Sequence, residues 1–113
     1  MKNIGLIGCG NIAETYFRSQ DYFNNINFIA CADKFPEAAK KCAEQYKIKS
    51  LTVDEILNDS DVDVILNLTI PQAHYEISKL ALESGKHVYS EKPMSIKYDE
   101  AKELVELANK KNL

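Results

Sequence analysis

The chain has 113 residues, 45% of them hydrophobic and 27% charged, with a formal net charge of −3. That length suits one domain with one core, the composition excludes a disordered chain, and scattered lysines on a mildly acidic background exclude a basic footprint for nucleic acid. No stretch approaches the roughly 20 apolar residues needed to span a membrane, and the apolar N-terminal run is too short for a signal segment and ends in glycines. A soluble, cytoplasmic protein is the expectation.

The first element is a strand at about 2–8, whose apolar run breaks into Gly8-x-Gly10-x-x-Ala13 and then into a helical pattern at about 11–23. A dinucleotide pyrophosphate needs this order of strand, glycine turn and helix N-terminus. Gly8 permits the turn, Gly10 removes a Cβ that would block the pyrophosphate, and Ala13 lets the helix pack close to the strand. Unpaired amides at the helix start then face the phosphates, aided by the helix dipole.

The second strand, at about 27–33, ends in Asp33, and 33 − 13 = 20 residues separate it from Ala13. An acid about 20 residues beyond the glycine turn accepts hydrogen bonds from the adenosine ribose. A 2′-phosphate placed there would repel the carboxylate, so NAD is expected over NADP. Lys34 is either an ordinary solvated loop lysine or a counter-charge that leaves NADP possible, and Asp33 by itself could be a turn-forming residue after a strand.

Helices are expected at about 36–46, 53–58, 73–84 and 97–111, alternating with strands at about 48–51, 62–68 and 86–90. Pro36 suits a first turn, Thr52 with Asp54-Glu55 an N-terminus, and Gly85 a C-cap. The near-continuous apolar fourth strand suits a sheet covered on both faces. Right-handed crossovers give an α/β fold of Rossmann type, a doubly wound parallel sheet in order 3-2-1-4-5, with ligand chemistry at the C-terminal strand ends where Gly8, Gly10, Thr69, Pro71 and Glu91 converge. Cys9, Cys31 and Cys42 are odd in number and lack metal-type spacing. Cys9 and Cys31 lie in strand and turn segments where a small apolar residue fits, and a reduced compartment with no metal site is the simplest reading.

Two segments carry a resemblance: Thr69-Ile-Pro71-Gln-Ala-His74 after the fourth strand and Ser90-Glu91-Lys92-Pro93 after the fifth. With Gly8/Gly10/Ala13 and Asp33 they resemble, over essentially the whole chain, the N-terminal domain of the Gfo/Idh/MocA oxidoreductase family, named for glucose-fructose oxidoreductase, inositol dehydrogenase and a rhizopine-catabolism protein. The resemblance implies that Gly8, Gly10, Asn11 and Ile12 form the pyrophosphate loop and that Asp33 and Lys34 form the adenosine ribose site. It places Thr69, Pro71 and His74 along the path to the nicotinamide, Glu91 near the nicotinamide ribose, and Lys92 as the catalytic residue at substrate and nicotinamide. Pro93 would fix the turn that aims Lys92. Without the family, His74 would read as a solvated or capping histidine, and Glu91 and Lys92 as surface charges.

The family's activity implies hydride transfer between NAD(P) and a sugar, cyclitol or related polyol, the cofactor carrying the difficult chemistry. The family also implies a second, substrate-binding domain, so residues 1–113 are expected to be the cofactor domain of a two-domain oxidoreductase and to lack turnover alone. Association through an exposed sheet edge and a monomer both remain open. Two rival classes are a non-catalytic dinucleotide-binding sensor or assembly module and a methyltransferase, neither of which gives Glu91-Lys92-Pro93 a role.

Overall fold

A computed structural model describes all residues 1–113. Strands β1 (Lys2–Ile7), β2 (Ile26–Ala32), β3 (Lys49–Ser50), β4 (Val64–Asn67) and β5 (His87–Ser90) alternate with helices α1 (Ala13–Ser19), α2 (Pro36–Tyr46), α3 (Val53–Asn58), α4 (Pro71–Glu83) and α5 (Tyr98–Lys111). The five strands form one sheet in order β3-β2-β1-β4-β5, and all four pairings are parallel. The expected architecture and order are therefore present.

Side chains alternate across the sheet, so neighbouring apolar residues of one strand enter different cores. Leu6, Cys31 and Leu66 pack with Ala13, Phe17 and Cys42 beneath α1 and α2. Ile7, Ala30 and Ile65 pack with Ile56, Leu57 and Ala81 beneath α3 and α4. On the first face Phe17 stacks on Tyr46 at 3.9 Å between ring centroids and tilts against Phe28 at 5.0 Å. A strand buried on both faces needs apolar residues at successive positions, which is why the fourth strand reads as a continuous run.

Helix ends follow local chemistry. Thr52 and Glu55 form a reciprocal capping box at the start of α3, and this holds the Glu55 carboxyl below its usual range because the Thr52 backbone amide and then its hydroxyl interact with the charged form. Gly85, at φ +79, ends α4 in a Schellman turn, with the Lys86 amide on the Ala81 carbonyl and the Gly85 amide on Leu82. Lys86 is buried yet satisfied, since its Nζ donates to the carbonyls of Asp59 and Val62 at 2.8 Å each.

Two helix starts differ from expectation by two residues. The first helix begins at Ala13 rather than near 11 and passes after Ser19 into a 3-10 turn at Gln20–Tyr22, because Gly10–Ile12 are spent on the turn that leaves β1. The fourth begins at Pro71, two residues before the expected start. Proline lacks the amide that a first helical position leaves unpaired, so it belongs inside the helix.

Candidate functional site

In a parallel sheet the C-terminal ends of all strands share one edge, and here the loop after β1 turns to one face while the loop after β4 turns to the other. That divergence opens a crevice between them. Gly8 sits at its floor with φ +105, where a Cβ would lie 2.5 Å from the Leu68 carbonyl carbon and oxygen and 2.7 Å from the Thr69 amide nitrogen. Glycine is required at this position by both conformation and contact. At Gly10 a Cβ would meet nothing within 4 Å, so the space is open.

The amides of Gly10, Asn11 and Ile12 donate no hydrogen bond within the protein, and the α1 N-cap, Ile12, supplies no side-chain cap. Asn11 and Ile12 are exposed. Asp33, at the end of β2, reaches the loop directly: its Oδ2 accepts from the Cys9 amide at 2.7 Å and its Oδ1 from the Phe35 amide at 2.8 Å. A carboxylate has about four acceptor sites, so two remain after these bonds. Lys34 is exposed, its Nζ 6.0 Å from the Phe35 ring centroid.

Across the crevice, Asn67 ends β4 fully buried and fully satisfied. Its Nδ2 donates to the His74 carbonyl at 3.0 Å and the Ser78 hydroxyl oxygen at 2.9 Å, while its Oδ1 accepts from the Thr69 hydroxyl at 2.6 Å. His74 is 1% exposed, and its ring nitrogens lie 2.6 Å from the carbonyl oxygens of Pro93 and Thr69. The ring is thus buried rather than solvated, and it ties the loop after β4 to the turn after β5. The Lys92–Pro93 peptide bond is cis, and Lys92 and Pro71 are exposed.

Glu91 closes the far side. Its amide donates to the Asn67 carbonyl at 3.1 Å, and its carboxylate accepts from the Tyr16 hydroxyl of α1. That hydrogen bond, reinforced by burial and by the Glu91 charge, pushes the Tyr16 phenol up to about 12. The neutral phenol is thus favoured by folding: the stabilisation is complete below the unfolded value of about 10 and is lost as pH climbs through about 12. Tyrosinate absorbance of wild type minus Tyr16→Phe is expected to show this late ionisation, and Glu91→Gln to return it toward about 10. Coincident curves for wild type and Glu91→Gln would remove the pair.

Asn67 and Tyr16 escaped the sequence reading. An asparagine inside an apolar strand was the available signal for the first, whereas Tyr16 sits on an ordinary helix face 75 residues from its partner.

A separate feature lies on the α2 side of the glycine loop. The thiols of Cys9, Cys31 and Cys42 converge with their sulfurs all within 4.8 Å of one another. The Cys9 thiol donates to the Ala32 carbonyl at 3.5 Å and the Cys31 thiol to the Ala39 carbonyl at 3.4 Å.

Strand order, glycine floor, free amides and an acid at the end of β2 define a dinucleotide-binding Rossmann domain. Residues 2–113 match the oxidoreductase family described as GFO_IDH_MocA, NAD-binding Rossmann fold, and the chain belongs to that family. An uncharacterized oxidoreductase of Schizosaccharomyces pombe is 48% identical over 61 residues, covering 54% of this chain and 16% of that protein. The inositol 2-dehydrogenase/D-chiro-inositol 3-dehydrogenase of Lactiplantibacillus plantarum is 27% identical over 111 residues, covering 95% of this chain and 32% of that one. Among solved structures, the WlbA dehydrogenase of Chromobacterium violaceum, in complex with NADH and UDP-GlcNAcA, superposes with a TM-score of 0.91 at 27% identity, over 98% of this chain and 33% of that one. The chain thus spans about a third of the length of relatives matched from end to end. Membership in an NAD-binding oxidoreductase family sets aside the methyltransferase reading.

Proposed function

We propose that this chain holds the dinucleotide of a dehydrogenase acting on a polyhydroxylated substrate, a sugar, cyclitol or related polyol. The pyrophosphate rests on the amides of Gly10, Asn11 and Ile12 over the floor made by Gly8. Asp33 takes the adenosine ribose with its remaining acceptor sites, Thr69 and Pro71 border the crevice toward the nicotinamide, and Glu91 stands beside the second ribose. The observation that carries the reading is the set of three unpartnered amides next to an acid already anchored on the same loop. Bound nicotinamide supplies the hydride carrier, and the protein's part is to orient and to move a proton.

That proton step belongs to Lys92, placed on the turn held by His74. The substrate class is supported by a relative named for inositol and by a neighbour solved with a sugar nucleotide. Lys92 is exposed in this domain, and a lysine works as an acid–base group near neutral pH only when desolvated. The 113-residue chain by itself therefore binds cofactor without turnover. Three free thiols fit a reduced, cytoplasmic setting.

Calorimetric titration is expected to show NADH binding at least about tenfold tighter than NADPH, a difference of roughly 1.4 kcal/mol. Absence of heat with NADH would overturn the assignment, and so, for the turnover claim, would steady NADH production by this chain with a cyclitol or sugar. Within a complete dehydrogenase, Lys92→Met is expected to cut turnover by about 10²–10⁴ while leaving NADH affinity in place.

A further inference from the structure

The cysteine cluster lies beside the glycine loop, on its α2 side. It opens on a groove of about 600 Å³ lined by Cys9, Gly10, Asn11, Lys41, Cys42 and Tyr46 among others, so its mouth shares Gly10 and Asn11 with the proposed pyrophosphate loop, while Asp33, Thr69 and Glu91 do not contribute. Three elements bring the sulfurs together: the loop after β1 carries Cys9, β2 carries Cys31 and α2 carries Cys42. Cys31 is fully buried and Cys42 nearly so, both within the core beneath α1 and α2, whereas Cys9 is half-buried at the groove.

We propose that these three thiols form a binding site for one thiophilic d10 metal ion, Cu(I) or Zn(II). A metal–sulfur bond is about 2.3 Å long, so three sulfurs around one ion stand about 4 Å apart, a spacing that the observed separations within 4.8 Å reach by small side-chain rotations. Thiolate-only ligation selects these soft ions over Mg(II), Ca(II) or Mn(II), which prefer oxygen. The groove supplies the entry path. No histidine, aspartate or glutamate joins the set, so Cu(I) would be held by three sulfurs alone and Zn(II) would take water from the groove as its fourth ligand.

The test is competition of the fully reduced chain against a chromophoric chelator, run separately with Zn(II) and with Cu(I) under anaerobic conditions. One equivalent bound at submicromolar affinity is expected for at least one ion: tight Zn(II) identifies the water-completed site, tight Cu(I) the three-sulfur site. Cys9→Ser and Cys42→Ser, checked for native secondary structure by circular dichroism, are each expected to weaken binding at least 100-fold. Gln45→Ala, at the groove wall, is expected to leave it unchanged. Failure of wild type to compete for either ion overturns the proposal, as does full affinity in both serine variants.

Discussion

Gly8→Ala is expected to lower stability by about 3–5 kcal/mol, the sum of forcing a side chain into a positive-φ conformation and of overpacking. The added methyl would lie 2.5 Å from the backbone of Leu68, which is pinned as the continuation of β4 by its amide's hydrogen bond to Ile7, so it cannot yield as a flexible side chain would. Thermal unfolding should shift down by more than about 10 °C for a domain of this size. Gly10→Ala supplies the contrast. Its methyl meets nothing within 4 Å, so stability should stay within about 0.5 kcal/mol of wild type, while NADH affinity falls because the methyl occupies the space kept for the pyrophosphate. Equal melting points for Gly8→Ala and wild type would show that the loop after β1 does not pack against β4 as described.

Asp33→Ala is expected to weaken NADH binding by about 10- to 100-fold, the scale of losing a charge-assisted hydrogen-bond acceptor. Two effects combine: the ribose loses its acceptor, and the Cys9 amide loses the carboxylate that holds the loop at 2.7 Å. The same change should narrow the preference for NADH over NADPH. A carboxylate facing a 2′-phosphate contributes repulsion of about 4 kcal/mol per unit charge at 4 Å in an effective dielectric near 20, and that term disappears with it. Asp33→Asn separates the two effects, because an amide oxygen still accepts from one backbone amide but carries no charge. Equal titration heats for wild type and Asp33→Ala would take Asp33 out of the site.

Much of the fold was legible because its signals are local. The α2 and α3 spans agree with expectation, since Pro36 and Thr52 mark their starts within a residue or two of the apolar pattern. The order of the strands followed from the handedness of crossovers, a constraint that needs only the alternation of strand and helix. Boundaries slipped where a residue's role depended on the turn it occupied, as at Pro71 and at Gly10–Ile12. The glycine loop and Asp33 were visible by spacing, but the bond from the Cys9 amide to the Asp33 carboxylate was not, because spacing carries no direction for a side chain.

Cysteine spacing gave no sign that the three thiols meet, since residues 9, 31 and 42 match no ligand pattern along the chain. Their meeting depends on which face of β2 carries Cys31 and on how α2 lies over it, a matter of register between segments remote in sequence. The clamp of His74 on Pro93 and Thr69 has the same origin, as does Tyr16 on Glu91.

Periodicity and punctuation along these 113 residues were enough to set the class of fold and the strand sequence across the sheet, and to single out the corner proposed for the dinucleotide. Each of those rests on interactions within a few residues or on chirality shared by all L-polypeptides. Which polar groups stay free for a ligand, and which are consumed in tying one loop to another, was settled only when β1, β2, β4 and β5 came into register. Hydrogen bonds and thiol contacts act over about 3–5 Å, and the chain brings such partners within that reach only by folding.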